Sequence, residues 1–431
     1  MKSIITIAVA FTILASIASQ ASQPGALPGV TSEPVRGAPE TNSPPAAAAG
    51  YNQAISQYVA FLKAQKQSPA DYILGLFQTN DLVILCERHH GEITQYDMIF
   101  EVLSNPRFQQ DVRHIFTEVG AAALWPYIDA FLMDDGLSEE QVNAKLRYIA
   151  ANLSWQGAWE RTNYYDFLKR VRALNCALPK ERRVHIYPAD LDFDWTKATK
   201  RRVTKFADKY GGSRRDQLMA DHVLSRFKQL RQADGQAKAL VIMNYRHAFP
   251  ELKVFASKEQ NAGAFLMRAY PGRVANVLIN TVAPEPHWAQ QPINHDAVGG
   301  MIPVQDGKWD AAFAVLGNPN LGFDFHGSPL GEDAFDLFPF RRMDARYREV
   351  FTGFVFYKPL REHRISVGFP KGVLDEALAD ELLRRSQFWK SGWDSRKDVE
   401  TYYAIRVFPY ESESNYEKMI QRWLDTSAAL R

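Results

Sequence analysis

The sequence is short of cysteine, of net charge and of long apolar runs. Two cysteines in 431 residues exclude a disulfide-stapled scaffold and a four-cysteine zinc or iron–sulfur site. Fifty-one Lys and Arg against 49 Asp and Glu leave a formal charge of +2, which offers no general electrostatic footprint for nucleic acid. Beyond the N-terminal segment no apolar run approaches the roughly 20 residues of a membrane-spanning helix, so no stable membrane span is expected. Several motifs are missing as well. There is no Gly-x-Ser-x-Gly elbow, no Walker A loop, no Gly-x-Gly-x-x-Gly after a strand and no His-Glu-x-x-His. A covalent serine mechanism therefore has no visible nucleophile, and direct attack by activated water is the simpler chemistry.

What is present divides the chain into three parts. Lys2 precedes a run of apolar and small residues from Ile4 to Ala18, and Ser16/Ala18 or Ser19/Ala21 supply the small-residue spacing that signal peptidase accepts. Residues 1–21 read as a secretory signal, and the protein as exported, periplasmic or secreted. Residues 22–50 hold six prolines and the run Ala46–Ala49, with almost no large apolar side chain to offset ordering entropy; they read as a flexible tether. Residues 51–431 read as a single α/β domain. Apolar residues at 46% and charged residues at 23% suit a folded core. In an oxidising compartment Cys86 and Cys176 form either a bridge or two separate buried thiols.

Short apolar runs alternate with helical patterns. Residues 81–86, 112–117, 184–187, 239–243 and 274–281 have the length and continuity of strands buried on both faces. Helical stretches cover 92–104, 120–150, 160–175, 195–232 and 258–269, with two more near 51–66 and 69–78. This alternation predicts a largely parallel central sheet flanked by helices, with helical insertions. From about residue 285 the pattern loosens into a C-terminal elaboration, with a late strand at 353–357 and helices near 372–388 and 412–428.

In open parallel sheets ligands bind beyond the carboxyl ends of the strands. Reactive side chains follow four of the strand runs: Glu87-Arg88-His89-His90-Gly91, then Glu118, then Asp190, Asp192 and Asp194, then Asn244-Tyr245-Arg246-His247. Together they offer imidazole bases, carboxylates to orient them and cations for a developing oxyanion. Arg88, His89, Asp190 and Asn244 are expected to contact a small-molecule substrate. Asp192 and Asp194 read as solvated or helix-capping, and His114, inside the second strand, as structural.

The order of these motifs from about residue 81 to 250 resembles the erythromycin esterase-like family, within the ChaN-like and Tiki/TraB haem-binding-uptake superfamily. Glu87 to Gly91 is similar to its Gly-Glu-x-x-His-Gly motif, with Cys86 in place of the glycine. Residues 240–247 are similar to a strand ending in His-Asn-x-x-His, with Met243 in place of the first histidine. The resemblance implies His90 as general base, Glu87 orienting it, Glu118 positioning water and His247 stabilising the oxyanion; Arg246 is our own addition to that set. It implies an ester or lactone carbonyl as electrophile and no obligatory cofactor. Two alternatives come with it: a divalent metal held by Glu87, His90, Glu118 and His247, or haem bound by a histidine without catalysis. N-terminal sequencing of the exported protein should begin at Ser19 or Ser22; an exported chain that keeps Met1 would contradict the signal reading.

Overall fold

The computed structural model describes residues 51–153, 162–210, 214–252, 261–284, 301–337, 345–389, 393–409 and 414–426. The expected signal and tether, residues 1–50, lie outside the described residues. Among the described residues there are eleven strands: β1 (Leu82–Glu87), β2 (His114–Ala121), β3 (His185–Asp190), β4 (Ala239–Asn244), β5 (Val274–Ile279), β6 (Val282–Pro284), β7 (Met301–Pro303), β8 (Leu321–Asp324), β9 (Gly353–Phe356), β10 (Arg364–Val367) and β11 (Arg406–Pro409). Seven form the central sheet in the order β3-β2-β4-β1-β5-β9-β8, all parallel except β8, which runs antiparallel to β9 at one edge. The fold is therefore α/β with a mostly parallel sheet, as the alternating pattern predicts.

The strands are buried because both faces are covered. All six residues of β1 are buried, and their side chains divide by parity. Val83 and Leu85 join one core with Leu240 and Ile242 of β4 and the helices Thr94–Ser104 and Thr162–Cys176. Leu82, Ile84 and Cys86 join the other core with Val241, Met243 and the helices Ser56–Ala64, Arg214–Ala233 and Lys308–Val315. Continuous apolar runs are what such double coverage requires. Cys86 and Met243, the two departures from the family motifs, are register partners on the same face of this second core. Both thiols are free: Cys86 is buried and Cys176 exposed, so only Cys86 matches the expectation of buried thiols.

The chain beyond residue 285 contributes β8 and β9 to the central sheet itself. The long helix expected over 120–150 is divided into a 3-10 turn Ala122–Leu124 and the helices Trp125–Met133 and Glu139–Ala151. The break falls at Asp134-Asp135-Gly136, where the Asp134 carboxylate accepts from the Gly136 N–H in a local turn that competes with the helix. Among the described residues no helix is long and apolar enough to cross a membrane.

The antiparallel edge depends on two glycines. Tyr72, from the helix Pro69–Leu76, lies flat against Gly322 of β8 and Gly353 of β9 and donates its hydroxyl to Asp324 at 2.7 Å. A Cβ at Gly353 would overlap that hydroxyl. Gly353→Ala should therefore lower unfolding stability by about 1–3 kcal/mol, the usual effect of overpacking. Gly75→Ala, in open space on the same helix, should be neutral or slightly stabilising. Urea midpoints of the two variants provide the check.

Candidate active site

The parallel register brings the strand ends level. Glu87 pairs with Asn244 in β1–β4, and Asp190 pairs with Ala121 in β3–β2. Between Thr117 and Ala121 the β2 register breaks, so that four steps on β2 face two on β3. Glu118, Val119 and Gly120 occupy this bulge. Gly120 has φ +104°, a conformation that side chains rarely adopt, and the Thr117 hydroxyl donates to the Val119 carbonyl at 2.8 Å. The bulge leaves Glu118 fully beneath the surface with its carboxylate turned toward β4.

The loop after β1 carries His90. Its Nδ1 donates to Glu87 Oε2 at 2.9 Å, while the Tyr96 hydroxyl donates to Glu87 Oε1 at 2.7 Å. Burial first, then the Glu87 charge, hold the Tyr96 phenol well above its ordinary pKa, so it is a fixed donor. With Nδ1 committed to Glu87, Nε2 is the nitrogen that can accept a proton. It stands 3.7 Å from Glu118 Oε1, too long for a direct hydrogen bond but close enough for one water to touch both. The His90 side chain is 21% exposed, whereas those of Glu87 and Glu118 are 1% exposed.

Glu118 is the meeting point of the other charges. Its Oε1 accepts from Arg215 Nη2 at 3.0 Å and from His247 Nε2 at 3.2 Å, and its Oε2 accepts from the Asn244 backbone N–H at 2.8 Å. Burial alone would raise its pKa, but His247, His90 and Arg215 outweigh burial and hold it well below the carboxylate range. Arg215 also donates from Nε to Asp190 at 3.0 Å, and His247 donates from Nδ1 to Asp216 at 2.7 Å. Burial disfavours the His247 imidazolium, yet Asp216 and Glu118 overcome it and raise its pKa to about 10. The 3.2 Å approach of Arg215 Nη1 to His247 Nε2 is then a contact of two cations bridged by Glu118 rather than a hydrogen bond.

These placements change several expected roles. Glu87, His90, Glu118 and His247 come together, but both His247 nitrogens face carboxylates, so it offers positive charge rather than a free N–H to an oxyanion. Arg246 has an exposed side chain, and the guanidinium on Glu118 comes instead from Arg215. Arg88 is a correction: its side chain has no exposed surface and pairs with Glu92 at 2.8 Å, because its guanidinium fits the gap behind the loop rather than the cleft. Asn244 is turned inward too, donating to the carbonyls of Glu87 and Arg88. Asp190 is fully buried and holds Arg215, so it reaches the site only through that side chain. His89 is half-buried and accepts from the Gly91 N–H through its own Nδ1 at 3.0 Å. As expected of bystanders, Asp194 caps a 3-10 turn and His114 lies near the Tyr187 hydroxyl.

The sequence reading missed Arg215, Asp216 and Tyr96. Arg215-Asp216 opens the helix Arg214–Ala233, and an acidic residue in a first helical turn has an ordinary dipole explanation that hides its second use. Tyr96 follows the His90–Gly91 loop by less than two helical turns, which is the one local signal for it.

Glu87, His90 and Glu118 each offer a ligand atom, all within 4.8 Å of one another. The Arg215 guanidinium competes with a divalent ion for this donor set. Each carboxylate oxygen accepts a hydrogen bond from a protein donor and keeps further lone-pair capacity, and Arg215 stands 3.0 Å from Glu118 Oε1. Both His247 nitrogens face carboxylates, and it stands outside this three-residue group. A cavity of about 210 Å³ lies elsewhere, lined by Arg113, His114, Asp234 and Lys238 near the opposite strand ends, and holds none of these groups.

No family model matches the chain, and no curated protein matches it. Solved structures with a likeness include a Bacillus cereus protein at 10% identity and TM-score 0.45, covering 71% of this chain and 97% of that one. An erythromycin esterase mutant, EreC in its open conformation, matches at 10% identity and TM-score 0.43, covering 71% and 96%. ChaN of Campylobacter jejuni, studied for cofacial heme binding, matches at 15% and TM-score 0.32, covering 51% and 88%. At TM-scores below 0.5 these likenesses bear on neither substrate nor mechanism.

The electrostatics give a signed pH dependence. The folded pKa of His247, about 10, exceeds its ordinary 6.5. Its ion pairs therefore contribute fully below pH 6.5, and the contribution is lost as pH rises through about 10. Unfolding free energy should fall over that interval by an amount of order a few kcal/mol, and His247→Gln should flatten the fall. Urea titrations of both proteins at pH 6, 8 and 10 measure it; parallel curves would remove His247 as the cause.

Proposed function

We propose that this protein is a hydrolase that activates water without a covalent intermediate and attacks an ester or lactone carbonyl. The observation that carries the reading is the Glu87–His90 pair, with Nδ1 fixed on the carboxylate and Nε2 3.7 Å from Glu118 Oε1, so that one water can touch both from the side. In this mechanism water donates one proton to His90 Nε2 as its oxygen bonds to the carbonyl carbon. Glu118 accepts the second O–H and orients the nucleophile. Glu87 stabilises the imidazolium that forms, and Tyr96 keeps Glu87 in place. The tetrahedral oxyanion develops in the field of Arg215 and His247, two cations close to Glu118. Collapse expels the alcohol, which takes the proton back from His90 Nε2. Export to the periplasm or medium remains part of the proposal, on the sequence pattern alone.

The alternative with a divalent metal rests on the closeness of Glu87, His90 and Glu118, and the Arg215 guanidinium on Glu118 opposes it. The non-enzymatic alternative, haem binding, needs a histidine nitrogen turned to the iron; both His247 nitrogens face carboxylates, which leaves His90 Nε2 as the site nitrogen this reading would use.

A panel of p-nitrophenyl esters and macrocyclic lactones tests the reading. His90→Ala should lower kcat by about 10²–10⁴-fold, the usual contribution of a positioned base, and His89→Ala by much less. Circular dichroism should show both variants folded, and activity should survive dialysis against a chelator. A folded His90→Ala protein with normal turnover sinks the general-base role. A Soret shift on haem titration, with no ester turned over, would favour binding instead.

A further inference from the structure

The loop that presents His90 is held at both ends by one ion pair. Arg88 and Glu92 flank His89, His90 and Gly91, and their side chains meet at 2.8 Å with 0% exposure on either partner. Arg88 continues from Nη2 to the Asn280 side chain and the Tyr357 carbonyl, each at 2.7 Å, which lie just past the ends of β5 and β9. Glu92 continues in the other direction. Its Oε1 accepts from the Thr94 N–H and hydroxyl and from the Arg364 N–H of β10, and its Oε2 accepts from the Gln95 N–H. Ile93 at the N-cap provides no side-chain cap for the helix Thr94–Ser104, and Glu92 satisfies those orphan N–H groups in its place. Its carboxyl is held below the ordinary pKa because Arg88, His363 and these donors outweigh burial.

The backbone between the two residues is fixed just as fully. The carbonyls of Glu87 and Arg88 accept from Asn244, that of His89 from Gln95, that of His90 from Asn163 and that of Gly91 from the Ser366 N–H. Five consecutive carbonyls are thus satisfied from four separate regions of the chain. Hydrogen-bond satisfaction alone does not call for a buried ion pair, since apolar residues of similar volume are often no less stable. What a charged pair adds is a fixed distance between the two loop ends.

We infer that Arg88 and Glu92 are positioning residues, a buried clasp that sets His90 against Glu87 and within one water of Glu118. They touch no reacting atom; they act by preventing the loop from relaxing about its Gly91 tip. A misplacement of about 1 Å at a catalytic base lowers turnover by about 10²-fold, so the clasp governs kcat and leaves substrate affinity alone. The consequence for turnover rests on the hydrolase reading above; the consequence for His90 geometry does not.

Two variants and two readouts test the inference. Glu92→Gln removes one charge and retains the shape. The double variant Arg88→Met/Glu92→Met removes both charges and keeps the site apolar, which protects folding if the single variant fails. In ¹⁵N-histidine NMR the native protein should show a sharp, downfield Nδ1 proton for His90, assigned by its loss in His90→Ala. Any folded clasp variant should lose or broaden that signal while the His247 signals persist. With p-nitrophenyl acetate, kcat should fall about 10²-fold with KM changed less than about twofold, and the loss should vanish in a His90→Ala background. A folded variant with an unchanged His90 signal overturns the inference whatever the activity. Failure of both variants to fold also overturns it, because the pair then serves the fold and not His90. A lost signal without any ester turnover in the native protein would keep the clasp and reject the hydrolase.

Discussion

Everything at the strand ends follows from burying the Glu118 carboxylate. An isolated carboxylate in that position would take up a proton rather than remain charged. It stays ionised because Arg215 and His247 approach the same oxygen, and each of those cations in turn needs its own anion, Asp190 and Asp216. The result is a chain of alternating sign, Asp190–Arg215–Glu118–His247–Asp216, that ties β2, β3, the turn after β4 and the helix Arg214–Ala233 into one electrostatic unit. Such a chain is all-or-none. Removing one member strands its neighbours in a poorly solvated place, so each residue is retained on account of the others.

Two histidines of identical chemistry receive different tasks from this arrangement. His247 lies between two carboxylates and keeps its proton through the physiological range. His90 has Glu87 at 2.9 Å on one ring nitrogen and Glu118 at 3.7 Å from the other. The first ring is enclosed by anions on both sides, and the second keeps a wider gap on its Nε2 side. Roles that composition could not separate are set by how many anions each ring faces.

The parts legible in the sequence were those encoded within one short stretch. β1 and its loop show themselves because strand, turn and chemistry sit within ten residues, and the parallel sheet shows itself through continuous apolar runs. Arg215 and Asp216 were invisible because they reach the site from a helix whose sequence has an ordinary amphipathic explanation. Arg88 was misread because a polar residue at a strand end suggests solvent, whereas here an Asn, a carbonyl and a carboxylate from remote segments enclose it. β6, β7, β8, β10 and β11 escaped because three or four residues are too few to show a period; β9 is as short, but its strand Gly353–Phe356 continues into Tyr357 as one apolar and aromatic run. β8 and β9 also show that a loosened pattern after residue 285 does not mark the end of the central sheet.

The β2 bulge has a consequence for how this fold diversifies. Pro188 in β3 has no N–H to give, so the ladder opposite it is already weakened, and the extra residues Glu118 to Gly120 occupy the slack. A shorter β2 that ran straight past Pro188 would pair more regularly and need neither Gly120 nor the charges gathered around Glu118. The scaffold would then lose the buried carboxylate that Arg215, His247 and the Asn244 N–H converge on.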